Sequence, residues 1–260
     1  MTQVKKLWPL LTATHHYDKS LSTRGRGQGQ IIEAPILAYL IETANGRILY
    51  DVGCDYHKVT DPVQRQHYYN PETFPFGPPE MDASQRLPAH LARMGLTPAD
   101  VDVVFIGHLH FDHAGGLCDV CGTEVHVQQA ELDAAQSGLD IGYFPDDFSG
   151  QYPWKIQHGE YDVAPGVRAI ASPGHTAGHM SLWIELPKGP PVILCGDAAD
   201  LVENIQDEVP PGLCWQDQED QAIASIRKLK ALATKEQAML WPNHDINFWR
   251  TLQQYPKFHE

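Results

Sequence analysis

The chain has 260 residues, of which 42% are hydrophobic and 20% charged, a composition typical of a globular protein with a large buried core. Its 19 basic and 33 acidic side chains give a formal net charge of −14, which argues against broad nucleic-acid binding because phosphate groups repel such a surface. No apolar run approaches the roughly 20 residues needed to cross a bilayer, so the sequence predicts no membrane span.

The cysteines and the first residues both bear on where the protein works. The N-terminal residues lack the long apolar core and small-residue cleavage site of a signal peptide, and the five cysteines are an odd number. Together these features predict a cytoplasmic protein without a disulfide framework. Cys118 and Cys121 form a lone CxxC pair. A zinc ribbon needs a second pair, so we interpret these two thiols as part of a turn.

The first predicted elements are two strands followed by a long connection. Residues 36–42 and 47–52 read as strands joined by a tight turn at Asn45-Gly46. Residues 56–80 are rich in proline and aromatic side chains and have no regular period. That composition predicts a long ordered loop, and such loops usually serve function.

The rest of the chain alternates between helical and strand patterns. Apolar residues at helical spacing predict helices over 83–95, 128–137 and 217–233. Short apolar runs predict strands over 101–106, 124–127, 166–171, 181–186, 191–195 and 239–241. Strands interspersed with amphipathic helices indicate a layered α/β protein whose helices cover the faces of its sheets.

The densest chemical signal is residues 107–116, Gly-His-Leu-His-Phe-Asp-His-Ala-Gly-Gly, directly after a predicted buried strand. If this segment is extended, His108, His110 and Asp112 share one side, because alternate side chains of a strand point the same way. The two closing glycines would let the chain turn sharply, so that His113 reaches the same site. Such a cluster is costly to bury unless it binds something, and imidazole with carboxylate suits a divalent metal such as zinc.

Three more candidate ligands follow short apolar segments further along the chain, namely His175, Asp197 and His244. Because each comes after a predicted strand, all three could converge on one edge of the sheets. Seven ligands exceed what one tetrahedral metal needs. They can hold two metals a few ångström apart, with a carboxylate between them.

The motif HxHxDH with its three distant partners resembles the metallo-β-lactamase superfamily. Within it, the sequence is most similar to the N-acyl homoserine lactonases that quench bacterial quorum sensing. The segments that carry the resemblance are 108–116, 159–167, 172–182 and 225–230. The resemblance implies a four-layer αββα sandwich formed by a single domain over residues 1–260, with 56–80 as a loop insertion near the active site.

The resemblance also implies a role for each candidate residue. His108, His110 and His175 would bind one Zn²⁺, Asp112, His113 and His244 would bind the other, and Asp197 would bridge the two. Asp112, His113 and Asp197 would take part in catalysis. Asp51 would orient a ligand from behind the metal centre.

One position departs from the family pattern. The lactonases usually carry a tyrosine three residues after the bridging aspartate, where it contacts the substrate carbonyl, and this chain has Asp200 there. An ionised carboxylate cannot replace a phenol as donor. The substitute contact could come from the 56–80 segment, whose Tyr68, Tyr69 and Phe74 either cover a sheet edge or line an acyl-chain pocket.

By this resemblance the protein is a dizinc hydrolase that opens the lactone ring of N-acyl homoserine lactones by attack of a metal-bound hydroxide. Other divalent metals could replace zinc, and two copies of the chain could form a homodimer. The alternatives are a hydrolase of another lactone or of a thioester, as in glyoxalase II, then an iron persulfide dioxygenase, and last a non-catalytic zinc protein. Two zinc ions per chain would favour a hydrolase, and one iron with oxygen uptake would favour the dioxygenase.

Overall fold

A computed structural model describes residues 3–260, and its first half is built on a six-stranded sheet. β1 (Val4–Asp18), β2 (Ile31–Thr43) and β3 (Gly46–Tyr50) run antiparallel to one another in chain order. The sheet then continues in parallel with β4 (Val103–Phe105), β5 (Glu124–Gln128) and β6 (Trp154–Gln157). β1 lies at one edge and β6 at the other.

A second sheet of five strands follows. Its strands are β7 (Tyr161–Ala164), β8 (Val167–Ala171), β9 (Met180–Ile184), β10 (Val192–Leu194) and β11 (Met239–Trp241). They lie in the order β11-β10-β9-β8-β7, antiparallel except for the pair β10 and β11. The helices are α1 (Tyr56–Thr60), α2 (Pro62–Tyr68), α3 (Leu87–Arg93), α4 (Phe111–Ala114), α5 (Gln129–Gln136), α6 (Pro145–Phe148), α7 (Val202–Asp207), α8 (Glu219–Glu236) and α9 (Ile246–Trp249).

Three apolar layers hold these elements together. The inner faces of the two sheets pack against each other through side chains such as Tyr39 of β2 and Leu182 of β9. The outer face of the first sheet packs against α3 and α5, and that of the second packs against Leu229 of α8. Both sheets are therefore buried on two faces, and the predicted four-layer αββα sandwich is confirmed.

Three strands are absent from the sequence prediction, and the reasons are physical. β1 contains Pro9, which reads as a strand breaker but lies on an edge strand where one side of the backbone needs no ladder partner. β6 and β7 are four-residue strands at the other edges, too short to show a period. The predicted helix 83–95 is shorter than expected: Ala83–Gln85 forms only a 3₁₀ turn, Pro88 lies in the first turn of α3, and α3 ends at Arg93, before Gly95.

The prediction of a loop over 56–80 is wrong for its first half, which forms α1 and α2. Asp55 and Asp61 cap these helices by accepting hydrogen bonds from the backbone N–H groups of the first turns. Pro62 stands at the first helical position, where its missing N–H costs nothing. The irregular composition thus marks two short capped helices followed by an irregular stretch.

Candidate metal centre

The segment between β4 and α4 delivers the first cluster of polar side chains. His108 and His110 follow β4, and His110 has an extended backbone, but α4 begins at Phe111, so Asp112 and His113 lie on a helical turn. The expectation of one extended run through Asp112 is therefore wrong. The helical turn brings His113 toward His108, with ring centroids 4.0 Å apart.

Gly115 and Gly116 serve close packing rather than a sharp turn. Gly115 has a right-handed helical φ of −58°, and neither glycine adopts a positive φ. A Cβ at Gly116 would lie 2.1 Å from the carbonyl oxygen of Val52, and one at Gly115 would lie 2.5 Å from the amide nitrogen of Asp55. These glycines let α4 pack directly on the chain that follows β3. This close packing fixes the position of α4 at the sheet edge.

The seven candidate ligands meet at that edge. Side-chain atoms of His108, His110 and His175 lie within 4.8 Å of one another, as do those of Asp112, His113 and His244. Asp197 lies between the two groups. Its Oδ2 is 3.5 Å from His175 Nε2, and its Oδ1 is 3.2 Å from both His113 Nε2 and His244 Nε2. One carboxylate therefore faces both groups with different oxygens.

Acceptors behind four of the histidines fix which ring nitrogen carries hydrogen. His110 Nε2 donates to Asp140, His175 Nδ1 donates to the carbonyl of Leu213, His244 Nδ1 donates to the carbonyl of Pro35, and His113 Nδ1 donates to Asp51. A neutral imidazole has one N–H, so in the neutral form of each ring the nitrogen that faces the centre carries a lone pair. His110 Nδ1 and His175 Nε2 lie only 3.0 Å apart. Facing lone pairs of this kind suit a cation between them.

The surroundings of His108 also indicate a place for a cation. It is fully buried, and within residues 3–260 neither of its ring nitrogens has a hydrogen-bond partner. Leaving such nitrogens unsatisfied costs roughly 1–3 kcal/mol. The residues present therefore fit a bound divalent metal, which would satisfy the nitrogen nearest Asp197.

Charge within the centre holds Asp197 and His108 in their metal-binding forms, whereas Asp197 outweighs burial and raises the pKa of His113 and of His244, the latter to about 10, so that a metal would displace a proton from each of those rings. Burial opposes ionisation of Asp197, but His113, His244 and His108 outweigh it and hold the pKa of this carboxyl well below its usual range. Burial, reinforced by His113, lowers the pKa of His108 well below that of a free imidazole. An ionised carboxylate and a neutral imidazole are the states that ligate metals.

Asp51 stands behind the centre in an unusual backbone conformation. Its φ is +58°, a left-handed value that aspartate tolerates better than most residues. In this conformation Oδ1 accepts from the backbone N–H of Gly107 and Oδ2 accepts from His113. The carboxylate thus ties the chain after β3 to both ends of the histidine segment.

His179 supports Asp197 from below. Its Nε2 accepts from the backbone N–H of Asp197, so Nδ1 carries the hydrogen and donates to Ser172 Oγ. Gly196 has a positive φ of +55°, and a Cβ there would lie 2.6 Å from His179 Nε2. Only glycine therefore lets the backbone of Asp197 approach the ring.

Glu131 on α5 is a functional position that the sequence reasoning misses. It is fully buried, and its carboxylate accepts from the backbone N–H groups of Leu109 and Gly178 and from the hydroxyl of Tyr143. It thereby joins the histidine segment to the loop that carries His175. A glutamate on a helix gives no local signal for this role, because its partners are 22 and 47 residues away.

A cavity opens over the centre. Asp112, Asp197 and His244 reach its floor, and its walls are largely apolar. The wall residues are Leu21, Phe74, Phe76, Phe111 and Leu213, with His15 and Tyr17 of β1 adding polar atoms. β1 was not predicted, so neither polar residue could be placed here from the sequence.

The predicted contacts from the 56–80 segment divide into two groups. Phe74 lines the cavity, whereas Tyr68 and Tyr69 do not. Tyr69 is buried behind Phe74, with ring centroids 5.4 Å apart, and the hydroxyl of Tyr68 donates to Asp146. Asp200 also lines the cavity, at the position where the family tyrosine is expected.

The fold and the centre together define a metal-binding protein of the αββα class. The chain belongs to the metallo-β-lactamase superfamily, whose family model matches residues 32–244. It is 35% identical over 257 residues to an N-acyl homoserine lactonase of a Bacillus species, with 98% of this chain and 99% of the relative covered. The N-acyl homoserine lactonase AttM of Rhizobium radiobacter is 29% identical, with 90% of each chain covered.

A solved structure gives the same relationship in three dimensions. An N-acyl homoserine lactone hydrolase with the product N-hexanoyl-L-homoserine at its catalytic metal centre matches 99% of this chain and 100% of its own, at 33% identity and a TM-score of 0.89. The dizinc lactonase AidC, at 17% identity and a TM-score of 0.67, shares the fold. Within residues 3–260, no helix has both the length and the apolar character needed to cross a bilayer.

Proposed function

We propose that this protein is a metal-dependent hydrolase that opens the lactone ring of N-acyl homoserine lactones, a quorum-quenching activity. The observation that carries the proposal is the seven-residue centre of histidines and aspartates at the floor of an apolar-walled cavity. The centre suits attack on a carbonyl, and the walls suit an acyl chain. The lactonases described above, similar over nearly the whole chain, support this substrate class.

We propose zinc at both positions of the centre. His108, His110 and His175 would hold one ion, Asp112, His113 and His244 the other, and Asp197 would hold both. Imidazole and carboxylate are common zinc ligands, although other divalent metals accept them as well. When bound, such ions polarise a carbonyl and lower the pKa of water toward neutrality.

Asp112 is the residue best placed to move a proton. Its side chain is 14% exposed, more than that of any other proposed ligand, and it lines the cavity. Oδ2 lies 3.7 Å from His113 Nε2 and 3.8 Å from His244 Nε2, so the carboxylate spans the floor. We assign to this carboxylate a proton shuttle: it takes up the proton released as a water molecule adds to the lactone carbonyl, and it passes that proton to the ring oxygen as the carbon–oxygen bond of the ring breaks, which leaves the carboxyl and hydroxyl groups of the N-acyl homoserine.

The walls would hold the acyl chain. Phe74 and Phe76 form one side and Leu213 another, all within the same cavity as the floor residues. A neutral lactone places no charge against them, whereas its amide and carbonyl groups would face the polar floor. Asp197 forms part of this floor and His113 lies beneath it, and both act as positioning and charge-stabilising groups.

The second candidate is a hydrolase of another lactone, or of a thioester as in glyoxalase II. Asp200 favours it, because a buried carboxylate stands where the family tyrosine contacts the substrate carbonyl. The iron persulfide dioxygenase, which needs one metal, is disfavoured because the second group of ligands is complete.

Acid release from a panel of lactones, followed with a pH-stat beside elemental analysis of the protein, tests the proposal. We expect two metal ions per chain and faster ring opening of N-acyl homoserine lactones than of γ-butyrolactone. No acid release from any lactone would overturn the proposal, and hydrolysis of thioesters alone would favour the second candidate.

We further propose that the protein works as one domain in the cytoplasm and that two copies form a homodimer. All five cysteines are free, which suits a reducing compartment. The exposed apolar side chains of Ile31 and Leu139 offer contacts for a second copy. Sedimentation at micromolar concentration distinguishes a monomer of 29.1 kDa from a dimer.

A further inference from the structure

Asp200 carries a buried carboxylate that the proposed pair of metal sites does not use. It is 4% exposed and lines the cavity. Its Oδ1 has no hydrogen-bond partner among the residues that the structure describes. A buried carboxylate oxygen without a donor is unfavourable by roughly 1–3 kcal/mol or more, so this oxygen calls for a partner from outside the chain.

The position of Asp200 shows what that partner would be. Ligand atoms of Asp197, Asp200 and His244 lie within 4.8 Å of one another, and all three residues are buried. Asp197 and His244 already face the group that contains Asp112 and His113. The carboxylate of Asp200 therefore approaches the same metal position.

Neighbouring contacts hold Asp200 in this orientation. The backbone N–H of His244 donates to its carbonyl oxygen over 2.8 Å. The hydroxyl of Ser22, which hydrogen-bonds to Tyr17 over 2.9 Å, lies beside the side-chain carboxyl. Among the described residues Oδ1 has no hydrogen-bond partner, so this oxygen is free for a cation.

Charge leads to the same partner. Asp112, Asp197 and Asp200 line one cavity, and its described lining includes no lysine or arginine. Carboxylates buried this close repel each other, so all of them are ionised together only beside positive charge. A divalent cation at the shared position supplies that charge.

We propose that Asp200 is an additional direct ligand of the metal held by Asp112, His113 and His244. The inference rests on the proposed function, because it needs the same metal centre. With Asp197, this position would have three carboxylates and two imidazoles, against three imidazoles and one carboxylate at the position of His108. Oxygen-rich sites accept harder cations such as Mn²⁺, whereas nitrogen-rich sites favour zinc. The two positions would therefore differ in metal preference.

The test is metal binding by Asp200→Asn, which keeps the size of the side chain and removes its charge. The full-length protein is stripped with a chelator and titrated with Zn²⁺ or Mn²⁺, and bound metal is measured by elemental analysis and chelator competition. We expect the variant to keep one tight zinc ion and to lose at least tenfold in affinity for the second, with a larger loss for Mn²⁺. Two ions bound with affinities within threefold of the parent would overturn the proposal.

Two variants serve as controls. Asp207→Asn removes an exposed carboxylate that pairs with Arg26, and Ser22→Ala removes the hydroxyl beside Asp200 without removing the ligand. Both should bind two metals within threefold of the parent. An equal loss in Asp207→Asn would attribute the effect to net charge and overturn direct ligation.

The parent protein loaded with Co²⁺ gives a readout that needs no variant. Four-coordinate Co²⁺ absorbs visible light far more strongly than five- or six-coordinate Co²⁺. We expect the oxygen-rich position to contribute the weaker bands, and two equally intense four-coordinate sites would overturn the proposal even if Asp200→Asn does not fold. These readouts measure bound metal, so they test the ligand assignment even if the protein hydrolyses no lactone. If the protein hydrolyses lactones and Asp200→Asn keeps its second metal site, this inference is wrong and the proposed function stands.

Discussion

Asp51 and His113 are joined by a hydrogen bond of 2.7 Å between Oδ2 and Nδ1, with both side chains buried. This bond fixes the tautomer of His113, so that Nε2 faces Asp197 as a lone pair. The acceptor is available because Asp51 adopts a left-handed backbone conformation just after β3. One carboxylate that is not itself a proposed ligand thus determines whether His113 can bind a metal.

Replacing Asp51 with asparagine should weaken metal binding at the His113 position by about 10- to 100-fold. Asparagine tolerates the same left-handed backbone. Its Oδ1 can still accept from Gly107, which turns the amide NH₂ toward His113 Nδ1 and drives the ring hydrogen onto Nε2. Elemental analysis after dialysis should find about one metal per chain. Two tightly bound metals in this variant would contradict the proposed role of the hydrogen bond.

Glu131→Gln should destabilise the fold rather than change the ligands. The carboxylate accepts from three donors, whereas glutamine would turn an NH₂ toward one of them, most simply the N–H of Gly178. Two donors facing each other in a buried site cost about 2 kcal/mol, which corresponds to a fall in Tm of roughly 4–8 °C. Thermal unfolding of the metal-free protein gives the measurement.

Tyr143→Phe is the comparison for Glu131→Gln. It removes only the hydroxyl that donates to Glu131 and leaves both backbone donors in place. The free energy of unfolding should fall by about 1 kcal/mol, which is less than for the glutamine variant. If the two variants unfold at the same temperature, the carboxylate does not act as the junction between the two loops.

The proposed ligands could be found from the sequence because local sequence patterns indicate them. His108 follows a dense apolar strand, and Asp197 and His244 follow short apolar runs. These residues can therefore be placed at one edge of the sheets even when the strand order is unknown. The four-layer fold follows from the same apolar strands together with the resemblance. Asp51 was suggested only by the resemblance.

The supporting residues could not be found, because their roles depend on long-range contacts. Glu131 is an ordinary helical glutamate until the fold brings Gly178 to it. Tyr17 lines the cavity only because β1 pairs with β2. Pro9 interrupts the strand pattern of β1, so this strand could not be predicted from the sequence. Asp112 lies on α4 rather than on an extended segment, because α4 starts one residue earlier.

Acid should destabilise the protein partly through His90 of α3. Its Nε2 donates to the carbonyl of Leu11 and its Nδ1 accepts from Arg93, so the ring is held in its neutral form. Burial lowers the pKa of His90 from 6.5 to about 4. Between these values the unfolded chain binds a proton that the folded protein does not, so stability falls as pH falls from about 6.5 toward 4. The loss between pH 7 and 5 is about 2 kcal/mol.

Urea unfolding of the metal-free protein at pH 7 and pH 5 measures this loss. His90→Gln can still donate to Leu11 but does not titrate. Its free energy of unfolding should therefore change less between the two pH values than that of the parent, by about 2 kcal/mol. An identical change in both proteins would show that other groups carry the acid sensitivity.

Leu213→Ala should alter acyl-chain preference while sparing the metals. The side chain lines the cavity and is 37% exposed, whereas its carbonyl accepts from His175 and is retained in the variant. Removing three apolar carbons should weaken the contact with a long acyl chain by about 1.4 kcal/mol, a tenfold loss in kcat/KM for long-chain lactones. We expect a short acyl chain to end before it contacts this side chain, so kcat/KM for short-chain lactones should stay within about twofold of the parent. Val63→Ala, at an exposed position outside the cavity, is the matched control. An equal loss for short and long chains would mean that Leu213 acts through His175 and not through the acyl chain.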